Sequence, residues 1–259
     1  MTLIDSHCHL NYEGLVERQD EVLDNARKRG VTGMLNISTR QSEWQDIIAT
    51  AERNDDVWAT IGVHPHEADS HPDLGVEALV EAANHPKVIA IGECGLDYYY
   101  DKSDREAQKD RFEAHIEAAR RTGLPLVVHT RDAEEDTAEI LSRAVEKGGV
   151  RGVLHCFTSS QWLADEALKF GFYISLSGIV TFKNAKDLQE TAKTLPDDRF
   201  LVETDSPFLA PVPNRGKTCE PAFVADTAAF VAELRCQSLE DVKSKSSDNF
   251  FKLFDKATA

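Results

Sequence analysis

Cysteine is scarce and unpatterned in this chain: its 259 residues include five, an odd number, with no Cys-x-x-Cys pair. That excludes a disulfide framework or a thiolate zinc site as the organising device and points to reduced thiols. Long apolar runs are also missing, since none approaches a membrane span, and no basic segment leads into an apolar one at the start. A cytoplasmic location without a membrane partner is the expectation. Positive charge is in deficit, with 29 Lys and Arg against 45 Asp and Glu and a formal net charge of −16. This argues against a broad electrostatic track for nucleic acid or an anionic bilayer. It leaves phosphate substrates open, because divalent cations and a few local Arg or Lys residues reverse the sign inside a cleft. Linkers, low-complexity tracts and clear internal repeats are lacking too, so residues 1–259 read as one domain, and a monomer is expected.

What is present is a regular alternation. With 41% hydrophobic and 29% charged residues the chain can build one substantial core. Short β-rich apolar runs are read as strands at Leu3–His7, Gly33–Ile37, Val57–Val63, Val88–Glu93, Leu124–His129, Gly152–His155, Phe172–Leu176 and Phe200–Glu203. Between them lie segments with apolar residues at helical spacing, such as Phe112, Ile116 and Ala119, or Ala138, Leu141 and Val145. Asp132 precedes Glu135 by three positions, a pattern resembling a capping box, and Gly30, Gly123 and Gly171 fall at helix ends where a positive φ is useful. Eight strand–helix alternations point to a (β/α)8 TIM barrel.

Such barrels place their functional face at the carboxyl ends of the strands. His7 and His9 open the chain one residue apart, so on a strand they share a face and Cys8 turns to the other. The pair either holds a divalent metal or merely hydrogen-bonds at a strand end. Chemistry-bearing residues recur at later strand ends: His64, Glu93, His129, His155 and Asp205. Six nitrogen and oxygen donors from five strands suffice for two metals: His7, His9 and Asp205 around one, His129 and His155 around the other, and Glu93 bridging. Two metals about 3.5–4 Å apart bind both an attacking water and the scissile oxyanion, so hydrolysis is the expected reaction class. Asp205 is the candidate acceptor of the water's proton. Glu203, on the same face, is either a supporting partner or an additional acid/base group. Cys8, Cys94 and Cys156 read as small packing residues facing the opposite layer.

The runs Asp5–Leu10, Gly62–His66, Gly92–Tyr99, Val128–Asp132, Leu154–Phe157 and Glu203–Pro207, in this order, resemble the TatD family of metal-dependent deoxyribonucleases over nearly the whole chain, in its YcfH-like branch. The resemblance implies a TIM barrel of amidohydrolase-like type, with Glu93 where many relatives carry a carboxylated lysine. It implies phosphodiester hydrolysis on DNA, specifically a 3′-to-5′ exonuclease on single strands, with magnesium, manganese or zinc as one or two bound ions. It transfers the metal ligands to His7, His9, Glu93, His129, His155 and Asp205. Hydrolysis of another ester or amide, including D-aminoacyl-tRNA deacylation, is the alternative within enzymes, and a barrel retained as a scaffold is the alternative outside them.

Substrate handling falls to further residues. His64 resembles the family histidine near the phosphate, against the alternative of an inward hydrogen-bonding histidine. Arg131 either faces the site or braces a helix start. Phe182 and Lys183 either stack on a base and meet a phosphate or simply pack. Arg215 and Lys217, in the turn-rich segment after the last strand, form a candidate phosphate grip. In that segment Asn214 and Cys219 depart from the residues usual in the family, His and Asn. Stacking by Tyr98, Tyr99 and Tyr100 competes with a role as pocket wall. His71, His85 and His115 show no partner pattern and are read as non-catalytic.

Overall fold

Strands buried on both faces tend to read as apolar runs, as Val88–Ile91 and Leu126–Val128 do here. The computed structural model describes residues 2–257. The strands are β1 (Ile4–Cys8), β2 (Gly33–Asn36), β3 (Val57–Ile61), β4 (Val88–Asp97), β5 (Leu126–Arg131), β6 (Gly152–Leu154), β7 (Tyr173–Leu176) and β8 (Phe200–Val202). They pair in parallel, in chain order, in one sheet. The sheet curls into a barrel where Cys8 bridges to Ser206: His9 N–H donates to the Ser206 carbonyl at 2.8 Å and Asp205 N–H to the His7 carbonyl at 2.9 Å. The expected TIM barrel is therefore the observed fold.

One helix follows each strand: α1 (Gln19–Lys28), α2 (Trp44–Glu52), α3 (Val76–Ala83), α4 (Arg105–Thr122), α5 (Glu134–Glu146), α6 (Gln161–Lys169), α7 (Lys186–Thr194) and α8 (Val224–Leu234). A final helix, α9 (Leu239–Leu253), is additional. Asp104 caps α4 by accepting from the amides of Glu106 and Ala107, and Gly123 ends it at φ 74°. The expected box at Asp132 does not form. Asp132 takes a φ of 52°, Ala133 is the N-cap of α5 without a side-chain bond, and Glu134 instead accepts from the Ser160 amide at the start of α6.

Two apolar layers result. The larger lies between barrel and helices and includes Cys8 and Cys94. The smaller fills the barrel's interior with Ile4, Leu35, Trp58, Val127, Val153 and Leu201, against Phe250 and Leu253 of α9 and Phe254 just after it. Because this plug occupies one end, the other is left to polar side chains.

Two strands run further than expected. β4 continues past Glu93 to Asp97 and β5 past His129 to Arg131, paired as Gly95 with His129 and Asp97 with Arg131. A Cβ on Gly95 would lie 2.0 Å from the His129 carbonyl oxygen, so only glycine lets the strands approach this closely, and its φ of 125° also requires it. The same residue type that permits the pairing lowers strand propensity, which is why the extension is not evident in the sequence.

Candidate metal centre

Glu93, from β4, lies at the centre of the barrel's open end and has a different set of imidazoles at each oxygen. Oε2 is 3.5 Å from His7 Nε2 and 3.9 Å from His9 Nε2. Oε1 is 2.7 Å from His155 Nε2 and 3.3 Å from both His129 Nδ1 and His64 Nε2. Asp205 Oδ1 closes the first group at 3.5 Å from His7 Nε2 and 3.4 Å from His9 Nε2. A left-handed φ of 60° at Asp205, just past β8, turns the chain here.

Three sets of donor atoms each lie within 4.8 Å of one another: His7, His9 and Asp205; His7, Glu93 and His155; and His64, Glu93 and His129. All six residues proposed as ligands are brought together. The grouping differs in two respects from the division read off the strands. His155 stacks flat on His7, with ring centroids 3.8 Å apart at 6°, and His64 takes its place beside His129.

The donor chemistry fits divalent cations. Among the described residues, every ion-pair contact of Glu93, Glu203 and Asp205 is to a histidine, never to a Lys or Arg. Buried carboxylates without a fixed cation are costly. In addition, His7 Nδ1, His9 Nδ1, His155 Nδ1 and Glu203 Oε2 are buried without a hydrogen-bond partner. Electrostatics follow from this crowding. Burial pushes the Glu93 carboxyl up, but His155, His64 and His129 outweigh it and hold it well below the carboxylate range. Burial pushes His155 down, but Glu93 and Glu203 outweigh it and hold the imidazole well above its ordinary value. His64, where burial prevails, falls to about 4. Glu93, and Asp205, whose burial is likewise outweighed by His9 and His7 so that it lies below the ordinary carboxylate value, thus stay ionised and draw positive charge to the site.

Around these groups opens a cavity of about 520 Å³. Arg131 lines it, as do Arg40 and Lys102, which the strand-end reading passed over. The Arg131 guanidinium lies 4.2 Å from the Tyr99 ring centroid and 5.1 Å from that of Tyr100. Tyr100, Tyr12 and Phe208 supply aromatic wall; Phe208 is 50% exposed. Phe182, Lys183, Arg215 and Lys217 are not brought to this lining. Arg215 stacks on Phe182 at 3.6 Å instead, and Lys217 Nζ donates to Asn214 Oδ1, whose Nδ2 in turn donates to Asp226. Lys217 is thus held within its own loop, and Arg215 lies on a ring of the segment after β7. Cys219 is buried, with its amide donating to the Pro207 carbonyl.

Glu203 is fully buried and accepts from the Cys156 amide at 2.7 Å. Cys156 departs from the expected outward packing: with φ 42° it turns back and lines the cavity, its Sγ 3.1 Å from Ser177 Oγ. His71, His85 and His115 lie outside the lining. His115 is buried in α4 and accepts from Val63 N–H through Nε2 while its Nδ1 meets the Arg111 carbonyl. Asp97, four residues past Glu93, lies on the same strand face of the extended β4. A strand that ends at Glu93 leaves Asp97 in a loop, where the spacing of the two carboxylates carries no meaning.

A (β/α)8 barrel with converging His, Glu and Asp side chains at its open end defines the class: a barrel hydrolase of the metal-dependent kind. Residues 4–255 match the family described as TatD related DNase, and the chain belongs to the TatD family of metal-dependent hydrolases. It is 44% identical over 257 residues to the "uncharacterized metal-dependent hydrolase YcfH" of Escherichia coli K12, covering 98% of this chain and 96% of that one. It is 40% identical to the similarly described YabD of Bacillus subtilis, covering 97% and 98%. The crystal structure of YjjV, a TatD homologue from Escherichia coli K12, superposes with a TM-score of 0.91 at 27% identity over 98% of both chains. An organophosphorus hydrolase from Deinococcus radiodurans shares the fold, with a TM-score of 0.68 at 16% identity over 98% and 92%.

Proposed function

We propose that this protein hydrolyses DNA phosphodiester bonds, removing nucleotides from single-stranded 3′ ends. The observation that carries the reading is the composition of one cavity, with a His, Glu and Asp floor and walls that alternate cations (Arg40, Lys102, Arg131) with rings (Tyr12, Tyr100, Phe208). Phosphates need the former and bases the latter. On a chain of net charge −16, so few cations suit a strand end gripped locally.

His7, His9 and Asp205 would hold one divalent ion, and Glu93 with the imidazoles gathered at its Oε1, His129 and His155 with His64 beside them, would hold a second; magnesium, manganese or zinc suits such a mixed set. When bound, such ions supply Lewis acidity toward a phosphoryl oxygen and hydroxide near neutral pH. Asp205, 15% exposed at its side chain and facing the cavity, accepts the water's proton at a carboxylate oxygen. His64, its pKa lowered by burial, is neutral at pH 7 and donates one hydrogen bond to a phosphate oxygen. Arg131, braced by two tyrosine rings, orients the phosphate. Glu203 holds the Cys156 amide and so fixes the turn that presents His155, a positioning role.

The test is product release from 3′- and 5′-labelled single-stranded DNA with magnesium or manganese, with chelator, and with Glu93→Ala. Loss of nucleotides from the 3′ end, dependent on metal and on Glu93, is the expected result. Absence of cleavage in every metal, with turnover of carboxylic esters or aminoacyl-tRNA instead, would replace this reading with the ester alternative.

A further inference from the structure

Asp97 is a fully buried carboxylate at the end of β4, and four donors converge on it. Oδ1 accepts from the amides of Tyr99 at 3.0 Å and Tyr100 at 2.9 Å. Oδ2 lies 3.0 Å from His129 Nε2 and 2.9 Å from His66 Nε2. Its backbone is pinned as well: Asp97 N–H donates to Gln108 Oε1 of α4 at 2.8 Å, and Gln108 Nε2 donates back to the Asp97 carbonyl at 3.1 Å. An ionised carboxylate only accepts, so both imidazoles must present N–H at Nε2. For His129 this leaves the Nδ1 lone pair, the atom 3.3 Å from Glu93 Oε1, as the free donor toward the metal centre.

We propose that Asp97 is a positioning residue for the metal centre: it fixes His129 in the Nε2–H tautomer and so makes Nδ1 the ligating atom. The inference rests on the metal-centre reading above. Tautomer and ring direction follow from one carboxylate held by the strand end and by α4. A carboxylate behind a ligating imidazole also raises its basicity. The same carboxylate anchors the Tyr99–Tyr100 turn, so the ligand and the aromatic wall that braces Arg131 share one fixed point.

The direct test is long-range 1H–15N correlation of the histidine rings in metal-free wild-type protein, paired with manganese and zinc titration of wild type and Asp97→Asn by calorimetry. Asn is nearly isosteric: its carbonyl oxygen can still serve the Tyr99 and Tyr100 amides, while its NH2 faces the imidazoles and favours the opposite tautomer. The expected results are Nε2–H for His129 in the wild type and an ion bound 10–100-fold more weakly in Asp97→Asn. An ion held by His7, His9 and Asp205 should keep its wild-type affinity. Nδ1–H without Nε2–H for His129, or wild-type affinity throughout in Asp97→Asn, would overturn the inference and leave the metal centre standing. A wild type that binds no divalent ion would overturn the metal centre itself, and this inference with it. Should Asp97→Asn fail to fold, the wild-type tautomer decides.

Discussion

At the scale of single residues, the site separates cations that face the cavity from cations that do not. Arg131 and Arg215 look alike in sequence, each in a polar stretch after a strand. The structure turns Arg131 into the cavity against two tyrosines and lays Arg215 over Phe182 outside its lining. A charge-assisted bond to phosphate contributes about 1.5–3 kcal/mol. Arg131→Ala is therefore expected to raise KM for single-stranded DNA by about tenfold or more, with a smaller effect on kcat. Arg215→Ala should leave KM within about twofold of wild type. Steady-state kinetics of the two variants side by side checks this, and the reverse order would return the phosphate grip to the loop after β8.

At the scale of elements, β3 carries His64 and His66 just past its end, and α4 holds that end in place. His115 is the clamp. Its Nε2 accepts the Val63 amide at 2.9 Å while Nδ1 donates to the Arg111 carbonyl at 2.6 Å, an arrangement only the neutral ring can satisfy. Burial lowers its pKa from the ordinary 6.5 to about 4. Below pH 6.5 the unfolded chain takes up a proton that the folded chain refuses. The clamp's stabilisation is therefore complete above pH 6.5 and is lost as pH falls toward 4, by about 3 kcal/mol in all. Denaturant unfolding of wild type and His115→Gln from pH 7 to pH 4 should show the stability gap between them narrowing as pH falls; a constant gap would contradict the assignment.

Helix α9 poses a separate question, since the eight strand–helix units are complete without it. Its Phe250 ring is 5.4 Å from that of Trp58 and 4.7 Å from that of Phe254, inside the barrel layer opposite the metal centre. Asn249 and Ser246 tie the helix to β8, through the Phe200 carbonyl and the Val202 amide. The helix is thus a plug for the barrel floor. Phe250→Ala is expected to cost about 3–5 kcal/mol of stability, read by denaturant unfolding. Metal affinity in the surviving folded fraction should match wild type, because the plug and the proposed ligands occupy opposite ends.

At the scale of the whole molecule, the acidic excess and the buried carboxylates pull in the same direction. Divalent ions bound only by the folded chain shift its unfolding by mass action, about 2.7 kcal/mol at a concentration of 100 Kd. Manganese or zinc should raise Tm, and chelator should reverse the rise. Glu93→Ala should lose most of it, because Glu93 is the carboxylate placed between the donor groups. An equal rise in wild type and variant, followed by differential scanning fluorimetry, would place the stabilising ions elsewhere on the acidic surface. Among the described residues no helix is long and apolar enough to cross a membrane.

The sequence by itself determined the alternation of strands and helices, and with it the barrel, because apolar periodicity is a local property of each segment. It also determined which strand ends carry His7, His9, Glu93, His129, His155 and Asp205, since a parallel barrel collects those ends on one face whatever the details. Only the tertiary structure decided how these side chains are grouped. His155 stacks on His7, and His64 stands beside His129, because of ring orientations that no spacing encodes. Only the tertiary structure extended β4 to Asp97, because Gly95 allows an approach whose benefit appears once His129 lies opposite. It also decided which cations face the cavity, since a loop side chain points wherever its long-range partners leave room. For Arg131 those partners are Tyr99 and Tyr100; for Arg215 the partner is Phe182.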